Sequence, residues 1–146
     1  MTDKALTDTA FSNFDITPSL LDGLEQAGFS RCTPIQAMTL PITLAGRDVA
    51  GQAQTGTGKT AAFALGLLST LDTAVVSLQG LVLCPTRELA DQVAVEVRRL
   101  ARAEENIKVV TLCGGVALRG QRASLEHGAH VAVGTPGRIM DHLARG

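Results

Sequence analysis

The chain has 146 residues, of which 13 are Lys or Arg and 14 are Asp or Glu, a formal charge of -1. That length supports one core, burying about two thirds of the surface the unfolded chain exposes, and the even balance excludes a global field for nucleic acid, so any such contact needs a local cluster. Trp and Tyr are absent and four Phe are present, which removes the simplest stacking platforms for single strands.

Residues 1–10 are polar and aperiodic, without the basic-then-apolar profile of a signal peptide, and are expected to form a disordered leader. Thr17-Pro18 reads as an N-cap followed by proline at the first helical position, with Leu20, Leu21 and Leu24 on one face and Gly28 as the stop. Thr33-Pro34 repeats the signature and opens a second helix carrying Ile35, Met38 and Leu40, which Pro41 is expected to kink or break. Asp48 to Gln52 has the short, partly apolar look of a strand, and Ala61 to Leu68 that of a helix buried on most sides.

From there strands and helices alternate. Leu81 to Cys84 is a strand ended by Pro85, followed by a helix capped by Thr86 with Leu89, Val93, Val97 and Leu100 as its apolar face. Ile107 to Leu112 is the next strand, Arg119 to Glu126 a polar helix, and His130 to Val133 a further strand. Thr135-Pro136 then starts a last helix with Ile139 and Leu143 on its buried side. Short apolar strands separated by helices predict an α/β fold, a parallel sheet flanked by helices, which binds ligands at the carboxyl ends of its strands.

Between the first strand and its helix lies Ala53-Gln54-Thr55-Gly56-Thr57-Gly58-Lys59-Thr60. Gly56 and Gly58 allow a loop whose amides wrap phosphate oxygens. Lys59 supplies positive charge between the outer phosphates. Thr60, in the first helical turn, offers a hydroxyl to Mg²⁺, and the helix start favours the anion it faces. The literal pattern G-x-x-x-x-G-K-[ST] begins with glycine where this chain has Ala53, which removes one glycine and no phosphate ligand.

Cys32, Cys84 and Cys113 are odd in number and far apart, so they read as small buried side chains in a reducing compartment and not as a disulfide or zinc framework. His127, His130 and His142 invite a metal reading, but Gly128-Ala129 marks a helix end or loop between the first two, and no Asp, Glu or Cys cluster completes a ligand set. No apolar run approaches the roughly 20 residues needed to span a bilayer, and a cytoplasmic protein is expected.

The run from Gly28-Phe29 through Thr33-Pro34-Ile35-Gln36, then Ala53 to Thr60, Pro85-Thr86-Arg87-Glu88-Leu89-Ala90, Gly114-Gly115 and Thr135-Pro136-Gly137-Arg138 together resemble the ordered motifs of the DEAD-box RNA helicases. The resemblance begins at Phe11, and Leu81 to Val93 with Leu112 to Gly115 look closest to the bacterial branch that acts on large-subunit ribosomal RNA. It implies a first RecA-like domain: a helical segment at residues 11–46 that carries the family's Q motif, and part of the ATP-binding domain at 47–146.

Carried over residue by residue, the resemblance implies that Gln36 reads adenine while Phe29 packs on the base and Phe11 supports that segment. It also implies that Ala53 to Thr60 hold ATP or ADP with Mg²⁺, and that Thr86, Arg87, Gly115, Thr135 and Arg138 hold an RNA backbone. By spacing alone, Thr33-x-x-Gln36 is a capping box in which Gln36 serves the helix start. Cys32 stands where the family usually has proline, which leaves the loop less stiff.

The family's acidic D-E-A-D and Ser-Ala-Thr motifs, and its second RecA-like domain, lie outside these 146 residues. The resemblance therefore implies an amino-terminal piece that binds adenine nucleotide without turnover, works on RNA with that second domain in cis, and self-associates through unpaired sheet edges. A naturally truncated, non-catalytic nucleotide- or RNA-binding regulatory module is the alternative.

Overall fold

A computed structural model of the chain describes residues 6–53, 58–104 and 107–144. These fall into two compact units, residues 1–70 with 99–104, and residues 71–98 with 105–146.

The first unit is helical. A short 3₁₀ turn at Phe11–Asn13 precedes α1 (Pro18–Gln26), α2 (Pro34–Thr43) and α3 (Lys59–Ser69). Helix α1 starts as the sequence predicts: Thr17 Oγ1 accepts from the Leu20 amide at 3.3 Å, and Pro18 takes the first helical position, where no amide is needed. Leu20, Leu24, Leu40, Leu65 and Leu100 are buried and form the apolar interior. Helices α2 and α3 approach so closely at Gly66 that a Cβ there would lie 2.9 Å from Thr43 Cβ.

Three expectations are corrected in this unit. Helix α2 is not broken at Pro41 but runs through it to Thr43, with Thr39 and Thr43 hydroxyls bonding back to carbonyls three or four residues earlier. Residues 7–10, read as the end of a leader, run beside Arg31–Cys32: the Thr7 amide donates to Cys32 O and the Cys32 amide to Thr9 O, each at 2.9 Å. Asp48 to Gln52 is not a strand. Among the described residues it has no ladder partner and its side is open to solvent, and an isolated extended segment has nothing to hold its amides and carbonyls in a sheet.

The second unit is the parallel sheet. Its strands are β1 (Gly80–Leu83), β2 (Val109–Leu112) and β3 (Val131–Gly134), and their spatial order β1-β3-β2 puts the last strand in the middle. All four residues of β3 are buried, as a two-sided parallel strand requires. Helices α4 (Arg87–Leu100), α5 (Leu118–His127) and α6 (Pro136–Ala144) connect and follow the strands, and the last turn of α4 belongs to the first unit. Leu112, Ala132 and Ile139 form the local core, with Val110 and Leu125 against it.

Ile139 is buried on α6 as expected, but Leu143 is 75% exposed, because helical period alone does not say where the covering layer ends. On α4, Val93, Val97 and Leu100 are buried with Ala90 and Ala94, while Leu89 faces outward. His130 is structural. It is fully buried, its Nδ1 accepts from the Lys108 amide at 3.1 Å, and its carbonyl accepts from the Gln79 and Gly80 amides. No group of three His, Cys, Asp or Glu side chains able to hold a metal occurs among the described residues, and no helix among them is long and apolar enough to cross a membrane.

Two predictions follow from this packing. Replacing a helical glycine by alanine ordinarily gains about 1 kcal/mol, yet a Cβ on Gly23 would run into the Leu100 carbonyl oxygen. Gly23→Ala should therefore lose about 1–3 kcal/mol in urea denaturation; a gain would show that this approach is not maintained. All three cysteines are free and buried, and burial is the main cause that pushes each thiol above the ordinary value of 9.0. Native protein at pH 7.5 should resist thiol reagents that label all three sites in denaturant. Because the folded thiols are raised, their contribution to stability is complete below about pH 9 and is lost as pH rises through the folded values.

Candidate functional site

In the first unit the site is built where two helix starts meet. Gly58 is the N-cap of α3 and lies at φ 88°, in the left-handed region where a side chain is strained. Lys59 follows, exposed, and Thr60, half-buried, so both side chains sit in the first turn beside amides that lack intrahelical partners. Ala53 is half-buried on the approach to the loop, and Gln54, Thr55, Gly56 and Thr57 lie outside the described residues.

Gln36 joins this helix start to that of α2. Its Oε1 accepts from the Thr33 amide at 2.9 Å and its Nε2 donates to Gly58 O at 3.1 Å, which also accepts from the Ala62 amide at 3.2 Å. Thr33 and Gln36 have the arrangement of a capping box. The Gln36 half is closed, while Thr33 Oγ1 is buried with no hydrogen-bond partner. Gln36 is fully buried, so the structure holds the capping role that spacing suggested and adds a bond to Gly58, the N-cap of α3, that spacing could not show. A Cβ on Gly58 would collide with Gln36 Nε2 and lie 3.1 Å from Thr33 Oγ1.

The aromatic pair is in place. Phe11 is 4% exposed and meets the half-buried Phe29 edge to face, with ring centroids 6.3 Å apart and planes at 90°. Gly28, at φ 85°, turns the chain out of α1 so that the Phe29 amide donates to Leu24 O at 2.9 Å.

In the second unit, Leu83, Gly134 and Leu112 are in register across the sheet. The turns after β1, β2 and β3 therefore share one edge, and Thr86, Arg87, Gly115, Thr135 and Arg138 come together there. Thr86 Oγ1 accepts from the Leu89 amide at 3.2 Å and caps α4. Thr135 O accepts from the Ile139 amide at 3.0 Å at the start of α6. Gly115 lies at φ 82°, and a Cβ there would sit 2.8 Å from Arg87 Nη1. Arg87 itself is exposed.

Arg138, which the resemblance gives to an RNA backbone, is turned inward. Its side chain is 15% exposed, Nη1 donates to Val116 O at 2.8 Å and to Gln121 Oε1 at 3.3 Å, and Nε lies 3.5 Å from Asp141 Oδ2. The guanidinium is thus turned onto the glycine turn. Gln121, which the sequence reading did not single out, is buried in the same cluster; a lone glutamine on a polar helix carries no signal of it. A groove of about 700 Å³ runs beside β2, and among the described residues its charged lining is Arg87, Arg98 and Lys108 against Asp91. It supplies the local basic cluster that the balanced total charge requires of an anion-binding surface.

Gly58→Ala should destabilise the first unit by about 2–4 kcal/mol, from left-handed strain and the collision with Gln36. Denaturation midpoints check this, and a variant as stable as the parent would show that Gln36 does not rest on Gly58.

Residues 33–146 match the DEAD/DEAH box helicase family. The chain is 55% identical over 139 residues to the ATP-dependent RNA helicase DbpA of Escherichia coli (strain K12), covering 94% of this chain and 30% of that protein. It is 47% identical to the ATP-dependent RNA helicase RhlB of Xanthomonas axonopodis pv. citri (strain 306), covering 98% of this chain and 26% of that protein. Among solved structures it is similar to a DEAD box protein from the hyperthermophile Methanococcus jannaschii, with TM-score 0.87, 36% identity and coverage of 93% of this chain and 37% of that one. It is also similar to S. cerevisiae Dbp5 bound to RNA and ADP BeF3, with TM-score 0.83, 31% identity, and coverage of 94% and 34%. The chain thus spans about a third or less of the length of these relatives. A parallel sheet with three motif turns on one edge, a glycine-opened α3 beside Gln36, and a match from residue 33 to 146 place the chain in the DEAD/DEAH box helicase family.

Proposed function

We propose that the chain is the nucleotide-holding, RNA-contacting amino-terminal part of an ATP-dependent RNA helicase that separates short RNA duplexes. The observation that carries the nucleotide half is the meeting of Gln36, Gly58 and the Lys59-Thr60 helix start. A fit test supports it: Gly58 enters α3 at φ 88°, so the first-turn amides follow a residue without a side chain, and the Thr33 hydroxyl beside it is buried without a hydrogen-bond partner.

The residues that would hold ATP or ADP are Ala53 to Thr60, with Lys59 on the outer phosphates and Thr60 toward Mg²⁺. Bound there, the nucleotide supplies a phosphoanhydride whose cleavage can drive strand release. Gln36 would serve adenine with its amide, which offers a donor and acceptors; fully buried as it stands, it would release the Thr33 amide or Gly58 O to reach the base. Since Nε2 also holds Gly58 O, base recognition and loop position are linked through one side chain.

Phe29, braced by Phe11, packs on the base. On the sheet edge, Thr86, Arg87, Gly115 and Thr135 contact an RNA backbone, which positions a strand without reading its bases, and Arg138 acts from behind the turn. Ribosomal RNA as the target, a role in ribosome assembly, a cytoplasmic location, a second RecA-like domain in cis and self-association of these 146 residues through the edges of β1 and β2 belong to the same proposal. The support is the resemblance to the bacterial ribosomal-RNA branch and the two edge strands. These 146 residues contain neither D-E-A-D nor Ser-Ala-Thr, the motifs that by resemblance order Mg²⁺ and position water, so these residues by themselves should bind nucleotide without hydrolysing it.

Titration of a fluorescent ADP analogue tests the nucleotide half. Lys59→Ala should weaken binding about 10–100-fold, the loss expected for a charge-assisted phosphate contact; equal affinity for parent and variant would remove the loop from the reading. Arg87→Ala should weaken single-stranded RNA binding and lower its salt dependence by about one phosphate contact. ATP hydrolysis by the pure chain would overturn the expectation of no turnover.

A further inference from the structure

We infer that Gln121 is the positioning residue of the sheet edge, a buried amide that holds both shoulders of the Gly114-Gly115 turn and turns Arg138 onto it. This rests on the RNA reading above for its function but not for its geometry. Gln121 is 7% exposed, and its side chain is met from three directions. Its Nε2 donates to Cys113 O at 2.9 Å, immediately before Gly114. Its Oε1 accepts from Arg138 Nη1 at 3.3 Å and lies 2.8 Å from His142 Nε2. Arg138 Nη1 in turn donates to Val116 O at 2.8 Å, immediately after Gly115.

The carbonyls on either side of the two glycines are therefore held by one side chain directly and by a second through it. This matters because glycines leave a turn free to rearrange, and Gly115 sits at φ 82° with Arg87 Nη1 occupying the space beyond its Cα. The network also settles its own proton assignments. The end facing Cys113 O must be the amide NH₂, so the end facing Arg138 is the oxygen, and His142 Nε2 bonds to it only as a donor.

α5 and α6 thus meet at the turn through polar groups centred on the buried Gln121 amide, and a turn that must present amides to a phosphodiester backbone is presented in one conformation. Preorganisation of this kind improves binding by removing the need to order the site on contact.

Two variants of the full chain test this. Gln121→Met keeps the side chain's length and removes every polar contact; Gln121→Glu keeps an acceptor for Arg138 and His142 but sets a carboxylate against Cys113 O. Hydrogen exchange at Gly114, Gly115 and Val116, read against β3 amides, should quicken about tenfold or more in Gln121→Met and less in Gln121→Glu, with β3 unchanged. Single-stranded RNA binding should weaken several-fold in the same order, and affinity for the ADP analogue should stay at the parental value.

Parental exchange at the turn in Gln121→Met overturns the inference alone. Equal loss of protection at the turn and β3 in both variants also overturns it, since Gln121 would then support the fold and not the turn. RNA binding unaffected by Gln121→Met and by Arg87→Ala alike overturns the RNA reading, and the functional half of the inference with it.

Discussion

The burial and register of β3 are the constraint on which the sheet unit depends. A strand with parallel neighbours on both sides has its amides and carbonyls taken up by ladders and both faces covered, which leaves room only for Val131, Ala132, Val133 and a residue without a side chain. Gly134 is that residue. A Cβ there would run into Leu112 O and come within 2.9 Å of Ile139 Cδ1. With Leu83 and Leu112 in register beside it, the three following turns emerge at one height. Three stretches separated by tens of residues become one surface because their strands cannot slide.

Two buried glutamines complete what the backbone begins. Gln36 ties the start of α2 to the start of α3 through the Thr33 amide and Gly58 O, and Gln121 ties α5 to the carbonyls around Gly114-Gly115. An amide suits both tasks, since it donates at one end and accepts at the other and carries no charge to be desolvated. In each case the partner is a glycine-containing segment with left-handed geometry, at Gly58 or Gly115. Such segments let the chain approach a ligand closely, and they need an external hold to stay in one conformation. The edges of the sheet show the same economy: Arg98 Nη2 donates to Val109 O on the open side of β2 at 3.1 Å, covering part of an otherwise unpaired strand.

How far the sequence could be read follows the range of the interactions concerned. Helix starts were legible because caps are local: Thr17, Thr33 and Thr86 each open the helix that their neighbours predicted. The strands at Gly80, Val109 and Val131 were legible within two residues, since short apolar runs between helices have few alternatives. Asp48 to Gln52 looked similar and is not a strand, because composition does not supply a ladder partner. Leu143 had the right helical spacing and is exposed, because periodicity defines a face and not the extent of what covers it. Arg138 stands at a helix start in a motif that resemblance assigns to RNA; only the position of Val116 O and Gln121 shows that it is turned inward.

By itself, then, the sequence determined the α/β class, the order of helices and strands, the glycine-opened start of α3 with Lys59 and Thr60, and the family, all of which rest on local propensity or contiguous motifs. The tertiary structure decided what depends on residues far apart in the chain. It determined that β3 lies between β1 and β2, that Gln36 reaches Gly58 across 22 positions, and that Gln121 and Arg138 share a glycine turn. The physical reason is that a buried polar group must find its partner in space, and the chain's local pattern carries no record of which distant atom that will be.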